Sequence, residues 1–146
     1  MSLTIEEKRA HGEALIDLLN ARDFDGLRAS PWFDDENSIF RSALAASEGE
    51  VYRGIRGLRE WAANVEAVWD DFHIEIAEHH EVDADRSLTV FNITGRAKAS
   101  GVPLALRTAQ IWTWRDGAMV ENDSFTDPRE GFEAAGIPYD PSTRSR

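Results

Sequence analysis

Residues able to do chemistry concentrate in two stretches, Arg107-Thr108-Ala109-Gln110-Ile111-Trp112-Thr113-Trp114 and Val120-Glu121-Asn122-Asp123-Ser124. Read as strands, each sends alternate side chains to opposite faces. One face then carries Gln110, Trp112, Trp114, Asn122 and Ser124, a set of amides, indoles and a hydroxyl that orients a ligand by hydrogen bonding and stacking. The other carries Arg107, Glu121 and Asp123, a guanidinium beside two carboxylates, the residue types of acid–base chemistry. A shift of one residue exchanges the two sets. Alternation alone leaves both arrangements open.

The elements that position these residues follow from local signals. Asp116-Gly117 lies between the two alternating runs, and Asp-Gly there marks a tight hairpin, because such turns need positive φ. The flanking strands are expected at about 103–115 and 118–126. Two more, at about 72–82 and 87–99, join through Asp83-Ala84-Asp85, and Ala99-Ser100-Gly101 turns into the next. Upstream, Thr4-Ile5-Glu6-Glu7 matches a capping box. Ala14, Leu15, Leu18 and Leu19 follow at helical spacing, so a first helix spans about 4–20. Asp23 to Leu27 reads as a short second helix, ended by Ser30-Pro31.

Asn37 to Leu44 reads as a short strand, followed by a turn at 47–50 and by Val51-Tyr52-Arg53. Gly54 and Gly57 open a third helix, whose stripe is Leu58, Trp61, Ala62, Val65, Val68 and Trp69, with Asp70-Asp71 closing it. Asp127-Pro128 starts a terminal helix containing Phe132, Ala134 and Ala135. Helices beside a mainly antiparallel sheet give the α+β class. The expected organisation is one domain over residues 1–137 and a mobile polar tail at 138–146.

Composition narrows the function classes. The chain has 146 residues, 42% of them hydrophobic, enough for a core of its own. A net charge of -11 repels phosphate backbones and anionic lipid, so nucleic acid and membrane surfaces are not expected partners. With no cysteine there is no disulfide, thiol nucleophile or thiolate metal site. No signal peptide or bilayer-spanning run is read, and the expected location is cytoplasmic. His79 and His80 are strand neighbours on opposite faces, so they cannot chelate one ion and read as surface residues. His73 alternates with Phe72 and Ile74 and faces outward, and His11 reads as solvent-facing. Asp34-Asp35-Glu36 caps a helix or meets water. Gly54-Ile55-Arg56-Gly57 lacks the Lys and Ser/Thr of a phosphate loop, and Ser42, Ser47 and Ser100 lack a nucleophile elbow. No metal or other cofactor is expected.

The element order, together with Leu19-Asn20-Ala21-Arg22-Asp23, Tyr52-Arg53-Gly54, Ser100-Gly101, Trp114-Arg115-Asp116-Gly117 and Glu133-Ala134-Ala135-Gly136, resembles the SnoaL-like and ketosteroid-isomerase-like branches of the nuclear-transport-factor-2-like superfamily. The resemblance covers roughly residues 5–137. It implies a cone-shaped, curved sheet wrapped around the helices, an apolar pocket inside, and homodimers through the outer sheet face. In the isomerase-like branch a helix-one tyrosine, a first-strand carboxylate and a protonated aspartate do the chemistry. The matching positions here hold Leu15, Phe40 and Gln110. In the SnoaL-like cyclases a histidine and an aspartate occupy the last strand, where this chain has Asn122 and Ser124.

The register implied by the resemblance puts Gln110, Trp112, Trp114, Asn122 and Ser124 in the pocket, with Phe40, Trp61 and Trp69 as further ligand-binding aromatics. The expected function is binding of a small hydrophobic molecule of polyketide, steroid or terpene type. Its transformation would be cofactor-free isomerase, cyclase, dehydratase or hydrolase chemistry. The alternatives are a carrier or sensor without chemistry, or a dimerisation module with a filled cone. If there is catalysis, Gln110 is expected to donate to a developing oxyanion while Asn122 and Ser124 orient the substrate. Asp123 with Arg107 is the alternative acid–base pair.

Overall fold

In the computed structural model, residues 3–41 and 51–139 are described. Residues 42–44 of the expected first strand, the turn at 47–50, Ser42, Ser47 and residues 140–146 of the tail lie outside them. The first helix, α1 (Ile5–Asn20), starts on its capping box: the Thr4 hydroxyl accepts from the Glu7 amide at 3.1 Å, and the Glu7 carboxylate accepts from the Thr4 amide at 3.0 Å. Asp23 caps the short α2 (Phe24–Ala29) by accepting from the Gly26 amide at 2.8 Å. Two three-residue strands, β1 (Ile39–Arg41) and β2 (Val51–Arg53), precede α3 (Gly54–Val68). The long strands are β3 (Trp69–Glu81), β4 (Arg86–Ala97), β5 (Pro103–Arg115) and β6 (Ala118–Phe125), and α4 (Pro128–Ala135) follows.

These strands form one curved, open sheet in the order β2-β1-β6-β5-β4-β3. All neighbours are antiparallel except β1 and β6, which run parallel. The turn between β5 and β6 is the expected one: Asp116 and Gly117 both have positive φ, 52° and 83°, as a two-residue turn matching strand twist requires. One sheet face meets α1, α2 and α3 across a core that includes Leu15, Leu27, Ile55, Trp61, Phe91 and Trp112. The other face carries α4, seated on Leu88, Val90, Ala109 and Ile111 through Phe132 and Ala135. No helix among the described residues is long and apolar enough to cross a membrane.

Four sequence expectations change. The third helix ends at Val68, and Trp69-Asp70-Asp71 opens β3 instead, because Trp69 and Asp70 pair with Ala97 and Arg96 of β4. Val68 leaves the apolar stripe and is 58% exposed. A register shift between Ile76 and Glu78 turns His79 to the inner face opposite Thr89, where its ring lies 5.6 Å from that of Trp112. His11 is not solvent-facing either: it stacks on Trp32 with ring centroids 3.5 Å apart. Lys8, also on α1, is fully buried and donates to the Asp83 carbonyl in the β3–β4 turn at 3.0 Å.

The seat of α1 depends on one missing side chain. A Cβ on Gly12 would lie 2.2 Å from Cζ3 of the fully buried Trp112, so the helix reaches the sheet only because residue 12 has none. Gly12→Ala is expected to destabilise the protein by about 1–3 kcal/mol through overpacking, despite alanine's better helix propensity. A urea-denaturation midpoint equal to the wild type would contradict this packing.

Candidate functional site

Between the helices and the inner sheet face lies a cavity of about 90 Å³. Leu15 and Leu19 of α1, Leu27 of α2, Phe40 of β1 and Trp61 of α3 wall it from one side. Ile74, Phe91 and Ile93 close it from the sheet. Phe40 stacks on Tyr52 at 5.1 Å and meets the edge of Trp61 at 6.4 Å, so the aromatic wall is itself braced.

One patch of the lining is polar. The Trp112 indole N–H donates to Gln110 Oε1 at 2.8 Å. Asn122 Nδ2 donates to the same oxygen at 2.9 Å, and Gln110 Nε2 donates to Ser124 Oγ at 3.0 Å. Pairing across β5 and β6 explains the geometry: Gln110 sits opposite Ser124, and Trp112 opposite Asn122. An indole nitrogen can only donate. Gln110 must therefore offer it the amide oxygen, which aims its NH2 group at Ser124 and draws the Asn122 NH2 group to the shared oxygen. Asn122 Oδ1 is left buried with no hydrogen-bond partner among the described residues, and so is Ser38 Oγ, elsewhere in the same lining.

Of the residues singled out from sequence, Phe40, Trp61, Gln110, Trp112, Asn122 and Ser124 line this cavity. Trp114 and Trp69 do not. Trp114 is buried in the adjoining core, where its indole donates to Ser87 Oγ at 3.2 Å. Trp69 borders a separate polar cleft with Arg22, Glu66 and Lys98, a consequence of its place in β3 rather than on a helix. The charged set is held away from the cavity. Arg107 is not in the lining; it donates to Asn92 Oδ1 at 2.9 Å and pairs with Glu78. Asp123 lies 2.8 Å from Arg41. Glu121 borders the cavity, but its carboxylate pairs with the same Arg41 at 2.8 Å and is 42% exposed.

Ser38 went unnoticed in sequence, since a serine before a short strand carries no signal of its own. Asp35 of the acidic triplet accepts from the Ile55 amide at the start of α3 at 2.8 Å, a capping role. Among the described residues no group of three or more His, Cys, Asp or Glu is placed to hold a metal ion.

The inward histidines lie beyond the lining. His79 has both ring nitrogens buried and without hydrogen-bond partners among the described residues. Burial lowers its pKa to about 4, helped by electrostatic repulsion from Arg9, His80 and Lys8 and opposed by Glu13. Burial also lowers that of His11. An unfolded histidine titrates near pH 6.5. The unfolded chain therefore takes up a proton at His79 that the native state refuses. That contribution to stability is whole above about pH 6.5, is lost on descent toward about pH 4, and then levels off. His79→Leu is expected to make the denaturation midpoint fall less between those limits than in the wild type, and equal falls would contradict the assignment. At Gln110 the test is a deletion: Gln110→Leu strands the Trp112 and Asn122 donors, with an expected loss of about 1–3 kcal/mol in chemical denaturation.

Comparison with known proteins agrees with this architecture. The family profile described as the SnoaL-like domain matches residues 13–122. No curated protein matches the sequence. Among solved structures, a protein with a ketosteroid-isomerase-like fold from Catenulispora acidiphila, in complex with trimethylamine, is similar with a TM-score of 0.65 at 15% identity, covering 90% of this chain and 97% of that one. An NTF2-like protein of unknown function from Burkholderia pseudomallei gives 0.67 at 13%, covering 87% and 95%. TerC, co-crystallised with polyporic acid, gives 0.68 at 18%, covering 89% and 98%. The profile match across most of the chain, on an NTF2-like fold, establishes that this protein belongs to the SnoaL-like domain family.

Proposed function

We propose that this protein binds a small, largely apolar molecule inside its cone and orients it by hydrogen bonds from neutral groups. The observation that carries this reading is the cavity itself: an apolar and aromatic wall interrupted by the Gln110–Asn122–Ser124 patch. Such a pattern, mostly apolar with a few placed polar groups, is that of ligand sites. Two of the similar solved structures were obtained with small organic molecules, which supports the same reading. An apolar cavity of about 150 Å³ takes up benzene. The space here, about 90 Å³, is smaller than that and partly open, so it takes one end of a ring-sized ligand while the rest lies toward its mouth.

The lining also bears on chemistry. Its one ionisable side chain among the described residues, Glu121, is paired with Arg41. Any turnover in this cavity would rest on hydrogen bonding and positioning rather than on proton transfer by a buried acid or base. A carrier or sensor fits these residues better than an acid–base isomerase or cyclase.

Screening small cyclic hydrocarbons, phenols and terpenoids by thermal shift tests the reading. A ligand at about a hundred times its Kd adds about 2.7 kcal/mol of stability. Ile93→Phe, which fills the cavity from β4, is expected to abolish the shift while leaving the circular dichroism spectrum native. Affinity is expected to stay flat from about pH 6 to pH 8, because the lining among the described residues holds no histidine, the side chain whose charge ordinarily changes in that range. Ligands that bind Ile93→Phe as tightly as the wild type would place binding elsewhere.

A further inference from the structure

We infer that the cavity selects hydroxylated ligands, alcohols or phenols, over ketones and aldehydes of the same skeleton. The inference rests on the reading of the cavity as a ligand site and adds the polarity of what it binds. The argument begins at Trp112, whose indole can only donate. That single N–H sets the direction of every bond in the patch. Gln110 Oε1 receives two donors, and Gln110 Nε2 gives one of its two hydrogens to Ser124 Oγ. Rotating either amide would set donor against donor or acceptor against acceptor. Asn122 must therefore present Oδ1 as its remaining atom, and that oxygen is buried and unpartnered among the described residues. Ser124, already an acceptor, keeps its own hydroxyl hydrogen to give. Ser38 Oγ, also buried and unpartnered among the described residues, can play either role.

The patch thus offers one obligatory acceptor, Asn122 Oδ1, and, two residues along the same strand face, a hydroxyl donor, besides the second N–H that each amide keeps. A ligand hydroxyl satisfies both, donating to Asn122 Oδ1 and accepting from Ser124. A carbonyl can accept from Ser124, but it leaves Asn122 Oδ1 without a hydrogen in an apolar enclosure. Leaving a buried acceptor unpaired carries the penalty that hydrogen-bonding sites use to reject analogues lacking the matching group. An oxyanion hole presents only donors to a carbonyl oxygen, whereas this patch adds a buried acceptor to its donors.

The test is an NMR titration of the wild-type protein with cyclohexanol, cyclohexanone and cyclohexane. Cyclohexanol is expected to bind about tenfold or more tightly than cyclohexanone, the scale set by one unpaired buried acceptor. Asn122→Leu removes the acceptor and should bring the two affinities to within about threefold, chiefly by weakening the alcohol. Trp112→Phe is a second variant, usable if Asn122→Leu does not fold. Without the indole donor Gln110 can reverse, and the preference should shrink. Equal binding of alcohol and ketone to the wild type, or a preference that survives both variants, overturns the inference while leaving the ligand site standing. Failure of all three probes, cyclohexane included, to bind in the cavity overturns the ligand-site reading and this inference together.

Discussion

The hydrogen bond from Trp112 to Gln110 is the constraint on which the site depends. Trp112 is fully buried, pressed from above by α1 at Gly12 and flanked by Phe91, Trp114 and His79. A ring so enclosed cannot swing away, so its N–H points in one direction. The amides of Gln110 and Asn122 then have a single self-consistent orientation. Packing of a helix against a ring is thereby converted into the donor and acceptor pattern of a cavity. The steric requirement at residue 12 and the electrostatic pattern at residue 122 are two ends of the same arrangement.

Charge is handled by exclusion. The chain carries a net charge of -11, yet among the described residues the cavity meets only one carboxylate, and that one pairs with Arg41. Arg41 gathers Glu121 and Asp123, while Arg107 pairs with Glu78 away from the lining. Burying an unpaired charge is far more costly than burying a hydrogen-bonded amide. Replacing acids and bases with amides and hydroxyls at the polar patch keeps the enclosure neutral without losing directionality.

Local signals made much of the fold legible. The capping box at Thr4, the Asp116-Gly117 turn and the Pro128 start of α4 each depend on neighbouring residues alone, and each is where sequence placed it. The inward set on β5 and β6 needed the register of a resembling family, since alternation cannot say which face is inside. What sequence missed depends on distant partners. Trp69 continues the helical period of α3, but pairing with Ala97 pulls it into a strand. His79 faces inward because of an irregularity two residues earlier, a product of how β3 fits β4. His11 is covered by Trp32, which arrives from beyond α2. That the oxygens of Asn122 and Ser38 are buried without a partner among the described residues is a three-dimensional fact with no counterpart in residue order.

The burial of Lys8 has a practical consequence. The sequence contains two lysines, Lys8 and Lys98. The first is sealed under the β3–β4 turn with its ammonium on the Asp83 carbonyl, while the second is half exposed beside Asp70. Amine-reactive reagents thus meet one lysine readily in the native fold and reach the other only when α1 lifts from the sheet. The ratio of the two modifications, read by mass spectrometry, is an intrinsic gauge of how often this helix opens, with no label introduced and no residue changed.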